Sequence, residues 1–184
     1  SAAARCARVW LLEMEQAPLT LMVERFDRVW IKGEQQRVHQ EDCCQALGLP
    51  PEKKYAGIQE ARGDDPSYLG IAKLLKKYAA NPEHEITELF RQMVVNLAIG
   101  NTDAHAKNYA FLYKKIGAPE MSPLYDVVPV VDIEPKAQYL SMRIGNEIEA
   151  AKVTREHLIV EGTAWGMPPQ DVNSLLDNTL SNLE

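Results

Sequence analysis

The sequence predicts an α+β chain, mostly helical, with its strands confined to short hairpins. Three observations predict this. Residues 82–99 carry apolar side chains at helical spacing over several turns, and weaker helical patterns recur at 68–79, 155–161 and from Gln170 onward. Short apolar or aromatic runs, Val9 to Leu12, Leu19 to Phe26, Tyr109 to Tyr113 and Tyr139 to Ile144, read as strands. Asn, Ser, Thr, Gly and Pro stand at the edges of these segments, where caps and turns need them.

The elements follow in order. Val9 to Leu12 and Leu19 to Phe26, joined by a turn at Gln16-Ala17-Pro18, form a hairpin. Arg25-Phe26-Asp27-Arg28 then leaves the strand. It reads either as a charged exit into solvent or as a connector whose backbone faces a ligand. Lys32 to Gln36 is a polar loop, and His39 to Leu47 is expected to be a helix stopped by Gly48 and Pro50-Pro51. Cys43, Cys44 and Leu47 face inward on it, while Glu41 and Asp42 suit the positive end of its dipole. A polar loop over 52–66 leads to Ser67, which caps a helix from Tyr68 to Ala79 with Lys73, Lys76 and Lys77 on its solvated face.

Asn81 caps the central helix and Pro82 opens it. Ile86, Leu89, Phe90, Met93, Val94, Leu97 and Ala98 form its apolar stripe, and Gly100 stops it. After the Tyr109–Tyr113 strand, residues 114–120 turn and Met121 to Tyr125 lead back, with Asp126 next in line. Thr154 caps a helix from Arg155 to about Glu161. The last helix puts Val172, Leu175, Leu176, Thr179, Leu180 and Leu183 on one side.

Composition narrows the function classes. A length of 184 residues fits one domain, or one lobe with part of another, and 46% apolar residues can build a core. The net charge of −6 argues against a broad nucleic-acid footprint. No apolar run approaches the roughly 20 residues of a membrane helix, and no secretory signal pattern opens the chain. Cys6, Cys43 and Cys44 are odd in number and two are adjacent, which makes a poor disulfide framework or zinc site and fits a reducing, cytoplasmic setting.

The densest chemistry lies in Asn101-Thr-Asp-Ala-His-Ala-Lys-Asn108, between the central helix and the aromatic strand. Phosphoryl transfer from ATP requires a carboxylate to orient the acceptor hydroxyl and hard oxygen ligands for magnesium (Mg2+) between the phosphates. Asp103 suits the first task. Asn108, five residues on, and Asp126, returned by the hairpin, suit the second. That order of acid, amide and later acid is protein-kinase logic in outline. Lys107 could meet a phosphate, and His105 could bond within the loop or to a phosphate. A plainer reading stands beside it: Asp103 and Asn108 as backbone partners in a tight loop, and His105 as a satisfied core histidine.

The chain resembles the HipA family of bacterial serine/threonine kinases, the toxin halves of toxin–antitoxin pairs. The resemblance rests on Val23-Glu-Arg-Phe-Asp-Arg28, Arg37-Val-His-Gln-Glu-Asp-Cys-Cys-Gln-Ala-Leu-Gly48, Asn101 to Asn108 and Pro123-Leu-Tyr-Asp-Val127, which are collinear and span most of the chain. It implies the C-terminal lobe of a protein-kinase-like fold: residues 1–28 as a remnant of the N-terminal lobe strands and hinge, and 29–184 as the helical lobe. It implies Asp103 as the base, supported by His105 and Lys107, with Asn108 and Asp126 as magnesium ligands. Glu24, Arg25 and Phe26 resemble the hinge that holds adenine through backbone groups, with Asp126 also on the nucleotide. The implied cofactors are ATP and magnesium. The implied partners are a protein substrate, typically an aminoacyl-tRNA synthetase, and a DNA-binding antitoxin of the HipB type, with no direct nucleic-acid or membrane binding.

One departure bears on activity. In the family a glycine-rich loop and a phosphate-pairing lysine precede the hinge, whereas the residues before Glu24 contain no lysine and no glycine. The chain is therefore expected to act as a kinase lobe that is nearly inactive alone. A non-catalytic lobe binding an antitoxin or partner chain is the alternative, and a metal-dependent phosphohydrolase ranks behind both.

Overall fold

The computed structural model describes residues 4–15, 17–58, 63–115 and 118–183. The expected turn residues Gln16 and Gly117, and four positions of the 52–66 loop, lie outside the described residues. The N-terminal segment runs beside Leu124: Ala7 N–H donates to the Leu124 carbonyl at 2.8 Å, and Leu124 N–H donates to that of Arg5 at 2.7 Å. Strands β1 (Val9–Met14) and β2 (Ala17–Val23) form the expected hairpin, with Trp10 opposite Met22. The strand ends at Val23, so Glu24 to Phe26 are connector rather than strand.

Two expectations change here. The polar stretch after Lys32 is a second hairpin, β3 (Arg28–Ile31) with β4 (Glu34–Arg37). Lys32 and Gly33 turn it with φ of 51° and 86°, the positive pair that a two-residue hairpin turn needs. The helix expected over His39–Leu47 is half strand: β5 (His39–Asp42) precedes a single turn, α1 (Cys43–Ala46). Cross-strand pairing of His39 with Tyr113 and Asp42 with Ala110 outweighs the local helical pattern. Asp42 is the cap rather than a first-turn acid. Its carboxylate accepts from Gln45 N–H at 2.9 Å, and the Gln45 side chain accepts from Asp42 N–H at 2.9 Å.

The central helices follow the sequence pattern. In α2 (Tyr68–Tyr78) the Ser67 hydroxyl caps the first turn, and in α3 (Pro82–Ala98) Asn81 does the same. Strand β6 (Ala110–Lys115) then lies between β5 and β7 (Ala118–Met121), so strand replaces most of the turn expected at 114–120. A short turn of helix α4 (Val130–Ile133), the hairpin β8 (Tyr139–Ile144) with β9 (Glu147–Glu149), and helices α5 (Arg155–Ala164) and α6 (Pro169–Ser181) complete the chain. Helix α5 runs a turn beyond its expected end.

Helix α3 packs against α2 and α6, and α5 closes on both. Trp165 fills the junction, edge-on to Phe90 at 5.9 Å and tilted on Tyr68 at 6.2 Å. The opposite face of α3 is polar and equally buried: Glu85, Glu88, Gln92 and Asn96 are each under 5% exposed. These groups are hydrogen-bonded, as burial requires. Glu85 accepts from Met121 N–H at 2.7 Å, Glu88 from Arg5 N–H at 2.7 Å, and Gln92 donates to the Ser122 carbonyl at 2.7 Å. The helix thereby fixes the backbone leading to Tyr125 and Asp126.

Candidate functional site

Gly100 ends the central helix with φ of 73°, and a Cβ there would lie 2.2 Å from Val131 Cγ2. The left-handed turn and the close packing both require glycine. Asn101 to Asn108 follow. Asn101 donates to Asn96 Oδ1 at 2.8 Å, and the Thr102 carbonyl accepts from Ser141 N–H at 3.0 Å and Ser141 Oγ at 2.8 Å. Both residues are buried, so the loop is anchored at its start to α3 and β8.

The far half of the loop is folded on itself. The Asp103 carbonyl accepts from His105 N–H at 2.7 Å and lies 3.4 Å from Asn108 Nδ2. Asn108 Nδ2 also donates to Asp126 Oδ2 at 3.3 Å. Asp126 has φ of 56°, a left-handed conformation that a non-glycine residue adopts at some energetic cost and that often marks functional positions. The returning strand thus sets Asp126 beside Asn108, while the Asp103 carboxylate faces outward.

His105 is buried, and its Nε2 lies 2.8 Å from Lys54 Nζ. Burial, with the Lys54 ammonium beside it, holds the imidazole below its usual range. A neutral ring then accepts from Lys54 through Nε2 and carries its proton on Nδ1, an atom without a partner among the described residues. Lys107 is half-buried, and its carbonyl accepts from the Tyr125 hydroxyl at 2.6 Å.

Two neighbours were not singled out in the sequence. Lys54 and Tyr55 sit in the polar stretch after α1. The Lys54 carbonyl accepts from Ala106 N–H, and the Tyr55 hydroxyl donates to Asp103 Oδ1 at 2.9 Å. The Tyr55 ring also stands edge-on to His105 at 5.3 Å. Their partners lie about fifty positions away in sequence, beyond the reach of local pattern.

The connector after β2 approaches from the other side. Glu24 N–H donates to the Arg8 carbonyl at 2.9 Å, and the Phe26 ring packs on Tyr125 at 5.4 Å. Arg25 forks onto Asp27 at 2.9 and 2.7 Å, a contact that pulls the buried Asp27 carboxyl below its usual range. Arg25, Arg37, His39, Lys107 and Tyr125 are among the residues lining a cavity of about 680 Å³ between connector and loop. This lining is mostly polar and of mixed charge, with Arg25, Arg37 and Lys107 beside Asp27 and Asp42.

The donor set fits a shared ion better than a fully caged one. Among the described residues no group of three or more His, Cys, Asp and Glu converges to hold a metal alone. One carboxylate and one amide are the partial oxygen set that magnesium completes with phosphate and water.

The HipA-like C-terminal domain model matches residues 1–184. The chain is 36% identical over 167 residues to Y4mE of Sinorhizobium fredii, which covers 86% of this chain and 38% of that protein. It is 35% identical over 157 residues to the serine/threonine-protein kinase toxin HipA of Shewanella oneidensis, 80% of this chain and 36% of that one. The chain therefore spans little more than a third of the length of these relatives. A structure of the Shewanella oneidensis HipA–HipB–operator DNA complex superposes with a TM-score of 0.81 at 30% identity, over 96% of this chain and 43% of that chain. The Helicobacter pylori proinflammatory kinase CtkA shares the fold with a TM-score of 0.54 at 11% identity, over 98% of this chain and 78% of that one.

Proposed function

The chain belongs to the HipA-like C-terminal domain family, and from that premise we propose that it is the catalytic lobe of an ATP-dependent serine/threonine protein kinase toxin. The fold is that of a kinase-like C-terminal lobe, α+β and mostly helical. The observation that carries the proposal is the Asn108–Asp126 pair at 3.3 Å, with the Asp103 carboxylate exposed at the other end of the same short loop.

Each residue has a task in this reading. Asp103 takes the proton of the acceptor hydroxyl as that oxygen bonds to the γ-phosphorus and the bond to the ADP oxygen breaks. Asn108, through its amide oxygen, and Asp126, through its carboxylate, would hold magnesium. Bound magnesium–ATP supplies the phosphoryl group and the charge neutralisation that the transfer needs. Lys107, on the polar cavity, meets phosphate oxygens. His105, held by Lys54, positions the loop between Asp103 and Asn108. Glu24, Arg25 and Phe26 hold adenine through backbone groups, with the Phe26–Tyr125 pair as the apolar platform.

By the same reasoning residues 1–28 belong with the N-terminal lobe and 29–184 with the helical lobe. The protein substrate is a translation component such as an aminoacyl-tRNA synthetase, and the partner is a DNA-binding antitoxin of the HipB type. The working compartment is the cytoplasm; no described helix is long and apolar enough to cross a membrane. A non-catalytic docking lobe is the second reading. It draws on the exposed apolar faces of β1 and β2, where Val9, Leu11, Leu19 and Leu21 are all more than half exposed.

Calorimetry of magnesium–ATP binding tests the proposal, on the chain and on a form extended at its N-terminus to the length of its relatives. Asp126→Ala should weaken metal-dependent binding by about tenfold or more, the loss of a charged ligand contact. Unchanged affinity would sink the ligand assignment.

A further inference from the structure

A second groove is lined by Thr102 and Asp103 of the loop, and its chemistry differs from that of the polar cavity beside Lys107. It holds about 430 Å³ and is lined by residues that include Tyr55, Ile58, Asp103, Val130, Tyr139 and Leu140. Asp103 is its one charged lining residue. Tyr55, Ile58 and Tyr139 remain 45%, 54% and 47% exposed, so the groove presents open apolar walls. The wall is built in place: Ala56 N–H donates to the Ser141 carbonyl at 2.8 Å, and Arg143 Nη2 donates to the Gly57 carbonyl at 2.7 Å.

We infer that this groove seats a bulky apolar side chain next to the acceptor serine or threonine, and so sets acceptor specificity. The inference rests on the kinase reading of Asp103. Two observations support it. The groove is lined by the residue whose carboxylate is proposed to receive the acceptor proton, while Lys107 lines the separate polar cavity. A hydroxyl already sits where the acceptor hydroxyl belongs: the Tyr55 phenol donates to Asp103 Oδ1 at 2.9 Å. An incoming hydroxyl takes that hydrogen bond from Tyr55, while its apolar neighbour enters between Ile58 and Tyr139. An exposed apolar patch beside a functional carboxylate favours an apolar ligand group over an anionic one, because an anion buried there would meet the Asp103 carboxylate and no cationic lining residue.

The test uses fluorescence anisotropy with the chain itself and short labelled peptides, each with one serine flanked by leucine, glycine or aspartate. The leucine peptide should bind about tenfold more tightly than the glycine peptide, and the aspartate peptide weakest. Ile58→Asp and Tyr139→Asp, both at exposed positions, should abolish the preference without changing the melting temperature. Equal affinity for the three peptides would overturn the inference, as would a leucine preference untouched by either substitution. So would concentration-dependent dimers that Ile58→Asp dissolves, which would assign the groove to a second copy of the chain. In the N-terminally extended form, phosphate transfer without flank preference rejects the groove assignment and keeps the kinase reading. Absence of both magnesium–ATP binding and transfer rejects the kinase reading, and with it the acceptor role of the groove.

Discussion

Two regions of the molecule use apolar and polar residues in opposite ways. In the N-terminal hairpins the apolar side chains are outside: Trp10 is 43% exposed and Trp30 is 72% exposed. Around α3 even the polar side chains are inside, with Gln92 at 1% and Asn96 at 4%. Residue type alone therefore does not decide burial. Burial follows from which layers pack on an element. The hairpin β1–β2 has no layer over its faces among the described residues, whereas α3 has helices on one side and, on the other, the end of β7 and the N-terminal segment. The loop from Asn101 to Asn108 is held by packing on α3 and β8, and the hairpins leave their apolar side chains exposed.

The two tryptophans give the sharpest way to break this comparison. Trp165→Ala should lower unfolding free energy by about 3–5 kcal/mol, since it empties the junction of the helices. Trp30→Ala should change it by less than about 0.5 kcal/mol. Chemical denaturation of both variants checks the pair, and similar losses would contradict the division. Next in size is the polar face of α3. Asn96→Leu removes the oxygen that accepts from Asn101 Nδ2 at 2.8 Å and the amide that donates to the Tyr109 hydroxyl at 3.0 Å, and should destabilise the fold by about 1–3 kcal/mol. A neutral or stabilising result would mean that the polar stripe does not support the loop. Asp42→Ala, which deletes the cap of α1, should cost about 1 kcal/mol in the same measurement.

The smallest expected effect is a pH dependence. Burial holds the His105 imidazole below its usual range, so the unfolded chain takes up its proton first. Stability from this group is complete above the unfolded value of about 6.5, and it falls as pH drops below that value toward the folded one. Urea midpoints between neutral and mildly acidic pH should show this fall in the parent chain, and a shallower one in His105→Gln. Identical slopes would remove His105 as the buried neutral group.

The sequence revealed some of these features more readily than others, for physical reasons. Helix α3 and the caps Ser67 and Asn81 were legible because helical periodicity and capping are local. The approach of Asp126 to Asn108 was legible in outline because a short hairpin returns the chain to the end of the loop. Strand β5 was misread because His39 to Asp42 carry helix-start residues, and only pairing with β6 makes them strand. Hairpin β3–β4 was missed because Glu34 to Arg37 have no apolar alternation. Lys54 and Tyr55 stayed hidden in a polar stretch, and the buried face of α3 was hidden by the usual rule that polar residues face water. Apart from the β3–β4 hairpin, whose strands adjoin in sequence, the deciding partner lies far away in sequence.

The most direct test of the central claim is phosphate transfer from γ-labelled ATP to a serine- or threonine-bearing protein substrate. It compares the N-terminally extended form with its Asp103→Asn variant. The account predicts transfer by the parent, a loss of about a hundredfold or more in the variant, and unchanged magnesium–ATP affinity in both. Equal transfer by the two proteins would contradict the role assigned to Asp103.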